Sequence, residues 1–140
     1  MLRIILGIIA GFIVWSILWV GVDAVLTALS PDWYGKYISE LHKAAAAGQP
    51  FSAKTGMSFM ALILSCICSI AAGYAAVWIA KESAKTPLIL GVLLLITGLA
   101  VEIAFWKYLQ IWYHFLFLFL LIPMTLLGAR LKGQNQASLS

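Results

Sequence analysis

The sequence predicts an all-α membrane protein with four transmembrane helices and an amphipathic interfacial helix between the first and the second. Of the 140 residues, 64% are hydrophobic and only 10% are charged, whereas soluble domains are about half apolar and about a quarter charged. The apolar residues form four continuous segments, at about residues 2–29, 57–80, 87–106 and 111–131. At ~1.5 Å per residue, each is long enough to cross ~30 Å of hydrocarbon. Continuous runs favour helices over the alternating strands of a barrel.

The first segment has to be distinguished from a secretory signal peptide. Arg3 precedes an apolar run at residues 4–22, which is longer than the ~7–15 residues of a signal core. No Ala-x-Ala cleavage site follows it. We therefore expect a retained membrane span, and residues 1–140 are expected to form a single integral membrane domain.

The polar stretch between the first two spans contains the predicted interfacial helix, at about residues 31–47. Ser30 can cap this helix and Pro31 suits its first position, while Gly48 and Pro50 end it. Its apolar residues recur every four positions, which gives one apolar face. This helix either covers the bundle or docks a partner. The residues expected at the membrane interface are aromatic: Trp33, Tyr37, Trp106 and Trp112, with Tyr108 and Tyr113 beside them.

The distribution of Lys and Arg predicts the orientation. At one end of the bundle the basic residues lie in short segments, whereas most of those at the other end are spread over a 27-residue connection. The positive-inside rule therefore places both termini in the cytoplasm, with the protein in the bacterial cytoplasmic (inner) membrane. The bilayer is its expected environment.

Small residues recur at helix-packing spacing along the spans. Such residues let helix backbones approach closely, within one chain, between copies or against other membrane subunits. The candidates are Gly7, Gly11, Ser65, Ser69 and Gly73, with the row Ala72, Ala76 and Ala80. Cys66 and Cys68 point about 200° apart on a helix, so they form neither a disulfide nor a joint metal site.

The third and fourth spans are expected to form a hairpin, although residues 107–110 contain no Gly or Pro. A single continuous helix is the alternative, but it would push ~30 Å of apolar surface out of the bilayer. Thr86 is the expected cap of the third span, with Pro87 at its first position. Pro123 is expected to kink the fourth span.

Three ionisable residues lie within these spans towards the side opposite the termini, Asp23, Glu102 and His114, and Lys107 follows the third span at the same side. In the predicted hairpin, Glu102 and His114 are each six residues from the turn, so they share a depth on adjacent helices. Asp23 ends the first span at the same side of the membrane. Ionisable groups inside a membrane are costly and indicate function or pairing.

Several roles remain open for these groups. Glu102 forms a structural ion pair with His114 or Lys107, or it belongs to a proton relay. Lys107 points about 140° away from Glu102 on a continuous helix, which favours His114. Asp23 bonds the backbone or Lys54, and His114 is expected to belong to the interfacial aromatic belt rather than to a metal site.

The sequence contains no catalytic, metal or cofactor motif, so no enzyme activity, metal or cofactor is predicted. A quinone or lipid could lie between the helices near His114, but no residue pattern requires one. The charge of +4 is spread along the chain, which gives no nucleic-acid site.

Three stretches of the second half resemble a broad group of bacterial four-span membrane proteins without an assigned function. They are "AAGYAAVWIAKES", "LILGVLLLITGLA" and "WYHFLFLFLLIPMTLLGARL", within residues 71–131. The Pro residues that usually precede the fourth-span Trp are absent here. The resemblance implies a fold and no activity. Its matching residues are Gly73, Tyr74, Ala75, Ala76, Ile79, Ala80, Pro123, Gly128, Ala129, Arg130 and Leu131.

Two functions are therefore expected from the sequence. The first is a non-catalytic accessory subunit that packs against a larger bacterial membrane complex. The second is a small, oligomeric proton- or cation-coupled carrier or channel that uses Glu102, Asp23 and His114.

Overall fold

The computed structural model describes residues 1–139, with side chains described for residues 1–134. Within residues 1–139 there is no β-strand. The helices are α1 (Leu2–Leu29), α2 (Lys36–Ala47), α3 (Thr55–Ala80), α4 (Lys85–Phe105) and α5 (Ile111–Leu139). A π-helical turn, Pro31–Gly35, joins α1 to α2. Four helices are long and apolar enough to cross a membrane: α1, α3, α4 and residues 111–134 of α5. The predicted all-helical class with four such helices is confirmed.

The four long helices alternate in direction. The connection at residues 30–54 and the turn at 106–110 lie at one end, which we call the connector end. Met1 and the turn at 81–84 lie at the other, which we call the terminal end. The predicted hairpin is confirmed and the continuous helix is wrong, because α4 ends at Phe105 and α5 begins at Ile111. Backbone bonds from Trp106 to Ile103 and from Tyr108 to Phe105 tighten this turn.

Helix α3 lies between α1 and α5 and approaches both very closely. On the α1 side, a Cβ atom at Gly7 would lie 2.6 Å from the carbonyl oxygen of Ala76, and one at Gly11 would lie 2.9 Å from that of Ala72. On the α5 side, a Cβ at Gly73 would overlap the Thr125 carbonyl. The small residues therefore pack helices within this chain.

The contact between α3 and α5 is reciprocal, because a Cβ at Gly128 would overlap the Ile70 carbonyl on α3. The other predicted packing residues of α3, Ser65 and Ser69, are 4% and 0% exposed. Four buried leucines contribute to the core: Leu62 from α3, Leu90 and Leu94 from α4, and Leu121 from α5.

Two predicted helix caps differ from the structure. Helix α4 begins at Lys85, two residues before the expected start, and its cap is the Glu82 carboxylate rather than Thr86. That carboxylate accepts the backbone N–H groups of Ala84, Lys85 and Thr86 and also the Thr86 hydroxyl, at 2.7–2.9 Å. Pro87 is tolerated at the third helical position because N–H groups of the first turn have no intrahelical acceptor.

The predicted helix at residues 31–47 is divided in two. Ser30 makes no side-chain capping bond; instead its carbonyl oxygen accepts the N–H of Gly35 at 3.0 Å, five residues on. The regular α-helix begins only at Lys36. The predicted end is confirmed, because Gly48 takes a left-handed conformation with φ of 65°, which Gly adopts without strain.

The Gly73 contact predicts a substitution with a matched control. Gly73→Ala should lower the free energy of unfolding by about 1–3 kcal/mol, because the α3 and α5 backbones must separate. Gly21→Ala, at a helix position with nothing within 4 Å of the added atom, should be neutral or stabilising by up to about 1 kcal/mol. Denaturant unfolding in detergent micelles measures both; equal values for the two variants would contradict the packing.

The Glu82 cap predicts a pH dependence. Burial raises the pKa of Glu82, but the backbone hydrogen bonds from Lys85, Thr86 and Ala84 and the Thr86 hydroxyl outweigh it and lower the pKa from 4.5 to about 2. A lowered pKa stabilises the fold fully above about 4.5, and this contribution is lost as the pH falls towards about 2. Glu82→Gln should therefore cost about 1 kcal/mol at pH 7, as other cap losses do.

The measurement is the unfolding midpoint of both proteins at pH 7 and at pH 3. The difference between wild type and Glu82→Gln should shrink at the lower pH. A difference that stays constant would show that the carboxylate charge does not contribute to the cap. Glu40→Gln is the control, because Glu40 is exposed on α2.

Candidate functional site

The connector end of the bundle encloses a cavity of about 320 Å³. Helices α1, α3, α4 and α5 form its walls, and Ile38 and Leu41 of α2 lie among the residues that cover it. On α1 the lining residues Trp15, Trp19 and Asp23 are spaced four apart, so they share one face and extend ~12 Å along the helix axis. The cavity is therefore long as well as apolar.

The cavity is partly open to the surface of the bundle. Val20 on α1 and Val101 on α4 both line it, and they are 67% and 46% exposed. If these helices cross a bilayer, these two residues face lipid. At the connector end, His42 of α2 lies against the Phe105 ring of α4, with ring centroids 6.1 Å apart.

Aromatic rings form a continuous wall inside the cavity. Trp15 and Trp19 stack in parallel with centroids 5.9 Å apart, and Trp19 meets the edge of Phe117 on α5 at 6.0 Å. Phe117 then stacks on Tyr113 at 5.8 Å. All four rings line the cavity. The indole N–H of Trp15 is buried and has no hydrogen-bond partner among the described residues.

Asp23 lines the mouth of the cavity and is bonded to Tyr34 of the π-helical turn. The Tyr34 hydroxyl donates to Asp23 Oδ1 at 2.7 Å. Burial and this carboxylate both raise the pKa of Tyr34 above its usual value, so the hydroxyl stays a donor at neutral pH. The expected partners of Asp23, the backbone or Lys54, are replaced by Tyr34. No hydrogen bond to the second oxygen, Oδ2, is present within residues 1–134.

Glu102 and His114 are in direct contact. Glu102 Oε2 meets His114 Nδ1, and the two residues are 3% and 0% exposed. The hairpin places them at one depth on α4 and α5, as expected from the equal distances to the turn. Trp106 stacks on the His114 ring with centroids 4.5 Å apart, and its carbonyl oxygen lies 3.3 Å from His114 Nε2.

These contacts determine how many protons the pair holds. A carbonyl oxygen only accepts, so Nε2 carries a hydrogen. The contact between Nδ1 and Oε2 requires one more hydrogen, on either atom. The pair is then an imidazolium with a carboxylate or an imidazole with a carboxylic acid, and in both cases its total charge is zero. A neutral, hydrogen-bonded pair is the form that an apolar interior tolerates.

The structure places three of the four predicted ionisable residues in the wall of the connector-end cavity or directly behind it. Asp23 and Glu102 line it, and His114 contacts Glu102 behind the wall. Lys107 is exposed and makes no ion pair within the described side chains. The structure therefore selects His114 over Lys107 as the partner of Glu102.

The predicted interfacial aromatic residues divide into two groups. Trp33 and Trp106 are 56% and 42% exposed, which suits a membrane interface. Tyr37 is 7% exposed and stacks edge-on to Phe51, and Tyr113 is 4% exposed. The rings of Tyr37, Tyr113 and His114 fill space inside the bundle, and their assignment to the outer belt stays a prediction. Trp112 is half-buried against Phe59.

Sequence reasoning did not single out Tyr34, Trp15 and Trp19. The spacing of four that places Trp15, Trp19 and Asp23 on one face was visible in the sequence. Tyr34 could not be found in this way, because a π-helical turn shifts its direction. Among the described side chains, no three His, Cys, Asp or Glu residues are placed to hold a metal ion.

The fold and the site together define a class: an all-helical protein with four helices apt for membrane spanning and a cavity at one end that two carboxyl groups border. Comparisons with protein-family models, with curated proteins and with solved structures found no match. The resemblance to bacterial four-span proteins stays a prediction.

The Glu102–His114 contact predicts an energetic coupling. Glu102→Leu and His114→Phe should each lower the free energy of unfolding by about 1–3 kcal/mol, because each leaves a buried polar group without its partner. The double variant should cost less than the sum, with a coupling of about 0.5–3 kcal/mol. Lys107→Gln changes an exposed residue, and its free energy of unfolding should stay within about 0.5 kcal/mol of the wild-type value. Additive losses in a double-mutant cycle would refute the coupling.

Proposed function

We propose that this protein is a small proton- or cation-coupled carrier that binds its substrate in the connector-end cavity and exchanges a proton at the Glu102–His114 pair. The observation that carries the proposal is the position of this buried, neutral pair at the wall of a partly open cavity, which Glu102 lines and His114 supports from behind. A structural pair can lie anywhere in a bundle. A proton site that is coupled to a substrate has to lie beside the substrate.

The coupling follows from charge. A cation near Glu102 favours the carboxylate and hence the release of the proton that the pair shares. Once that proton leaves, the pair carries one negative charge, which in turn stabilises the cation. Binding of the cation in the cavity and loss of the proton therefore favour each other, and this is the linkage that an exchanger needs.

The unequal packing of the two ends supports a carrier. The terminal end is closed by the backbone contacts of Gly7, Gly73 and Gly128, whereas the connector end contains the cavity. An open half and a closed half are what an alternating-access carrier has in one of its two states. Self-association would supply the second half-bundle that small carriers of this kind need.

The membrane assignment is part of the proposal. We place the chain in a bacterial cytoplasmic membrane with both termini in the cytoplasm, from the density of Lys and Arg in the short terminal-end segments. The connector end then faces outward. Helix α2 then lies at that interface, with Tyr37 and Leu41 lining the cavity and the exposed Trp33 of the preceding π-helical turn towards the headgroups.

An accessory-subunit role is the second candidate. Its supporting observation is the outer face of α1, where an apolar row is about half exposed. Such a row packs equally well against lipid or against a helix of a larger complex. This role, however, gives no reason for a cavity bordered by two carboxyl groups. The row consists of Ile5, Ile9, Ile13 and Ile17.

Flux in liposomes tests the carrier proposal. Purified protein is reconstituted with a trapped pH dye, and proton movement is followed under Na⁺, K⁺ and tetramethylammonium gradients. A gradient should drive proton flux above that of empty liposomes. Glu102→Gln should lower this flux at least about tenfold, the lower range of losses for one proton-transfer group, and Lys107→Gln should leave it unchanged.

Two outcomes would count against a carrier. One is equal flux in the Glu102→Gln variant, and the other is no flux under any gradient. Gentle detergent extraction would then decide in favour of the accessory role if a partner co-purified at fixed stoichiometry and was lost on substitution of Ile9 and Ile13 by Ser.

A further inference from the structure

We propose that the connector-end cavity binds an organic cation, an ammonium group on a flat apolar body, with Asp23 as its counter-ion. This inference rests on the carrier proposal for its biological role, and it names the substrate class of that site.

The charge balance of the cavity is negative. Within residues 1–134, no Lys or Arg lines it, and His42, the one imidazole in its lining, is exposed at the rim against Phe105. The Glu102–His114 pair is neutral as a unit, so Asp23 contributes the one carboxylate charge that no Lys or Arg neutralises. Tyr34 donates to only one of its oxygens. The second oxygen can accept the N–H of an ammonium group, whereas a carboxylate or phosphate would meet uncompensated repulsion.

The aromatic wall selects the rest of the ligand. Trp19 lies one helical turn from Asp23, and the rings continue through Trp15 to Phe117 and Tyr113. Aromatic faces attract a cation and also stack on a flat apolar body. A hydrated inorganic ion gains little from such a wall. Among the described side chains, no three His, Cys, Asp or Glu residues are placed to hold a metal ion. The wall therefore favours an organic cation over Na⁺ or K⁺.

Size and access agree with this class. A volume of about 320 Å³ lies at the lower end of small-molecule pockets, which run from about 300 Å³ upward. This is too small for a whole two-chain lipid. Val20 and Val101, which line the cavity, are on the lipid-facing side, from which an apolar amine partitioned into the bilayer can enter.

The unpartnered indole N–H of Trp15 is an independent observation. Buried N–H groups normally have an acceptor, and Trp15 lines the cavity ~12 Å from Asp23 along α1. A ligand with an oxygen or aromatic face at its far end would satisfy this donor.

Three probes with one ring system test the proposal: naphthylethylamine, naphthylethanol and naphthylpropionate, which are cationic, neutral and anionic. Binding to the full chain in detergent is measured by equilibrium dialysis, with empty micelles subtracted. The amine should bind saturably, and the alcohol and the anion at least about tenfold more weakly, as expected for a partly buried charge contact. Equal binding of amine and alcohol would overturn the proposal.

Asp23→Asn is the decisive variant, because Asn still accepts the Tyr34 hydrogen bond and the fold should be retained; an unchanged unfolding midpoint confirms this. The variant should lose at least about tenfold in amine affinity and none in alcohol affinity. Asp32→Asn is the matched control, since Asp32 is exposed and does not line the cavity. Equal amine affinity in Asp23→Asn and wild type would exclude Asp23 as the counter-ion.

The two proposals fail separately. Selective amine binding without Glu102-dependent proton flux would preserve the cation site and reject the carrier. Glu102-dependent flux with no preference among the three probes would preserve the carrier and reject the organic cation.

Discussion

Close approach of α3 to both α1 and α5 is the constraint on which the rest of this structure depends. At the terminal end the helices touch through backbone atoms, since Gly7, Gly73 and Gly128 leave no room for a side chain. At the connector end, the rings of Trp15, Trp19 and others stand between them. Helices that touch at one end and are separated by rings at the other enclose a space. The cavity is therefore a consequence of where small and large residues lie along the spans.

Much of the fold followed from the sequence. Continuous apolar segments predicted the four long helices, and the thickness of hydrocarbon predicted the hairpin between α4 and α5. The same hairpin placed Glu102 and His114 at one depth, which is why their contact could be anticipated. Helix periodicity on α1 also places Asp23 and Trp19 on one face, because they are four residues apart.

The parts that could not be predicted depend on irregular backbone. The π-helical turn changes the direction of Tyr34, so regular spacing gave no reason to pair it with Asp23. The Glu82 cap precedes α4 by three residues, whereas Thr86, directly before Pro87, was the cap that the sequence pattern favoured. The sequence also does not determine whether an aromatic residue near the end of a span is exposed. Tyr37 and Tyr113 suit a membrane interface and a cavity wall equally well. Only the position of α2 over the cavity decides between them.

The π-helical turn has a further consequence for how the cavity can open. The turn runs directly into α2, and its Tyr34 is the residue that holds Asp23. Displacement of α2 together with this turn would break that hydrogen bond, which leaves a carboxylate short of a donor at a cost of about 1–3 kcal/mol. A positively charged guest at Asp23 would offset that cost. The same carboxylate would thus couple the binding of a cation in the cavity to the displacement of the helix that covers it.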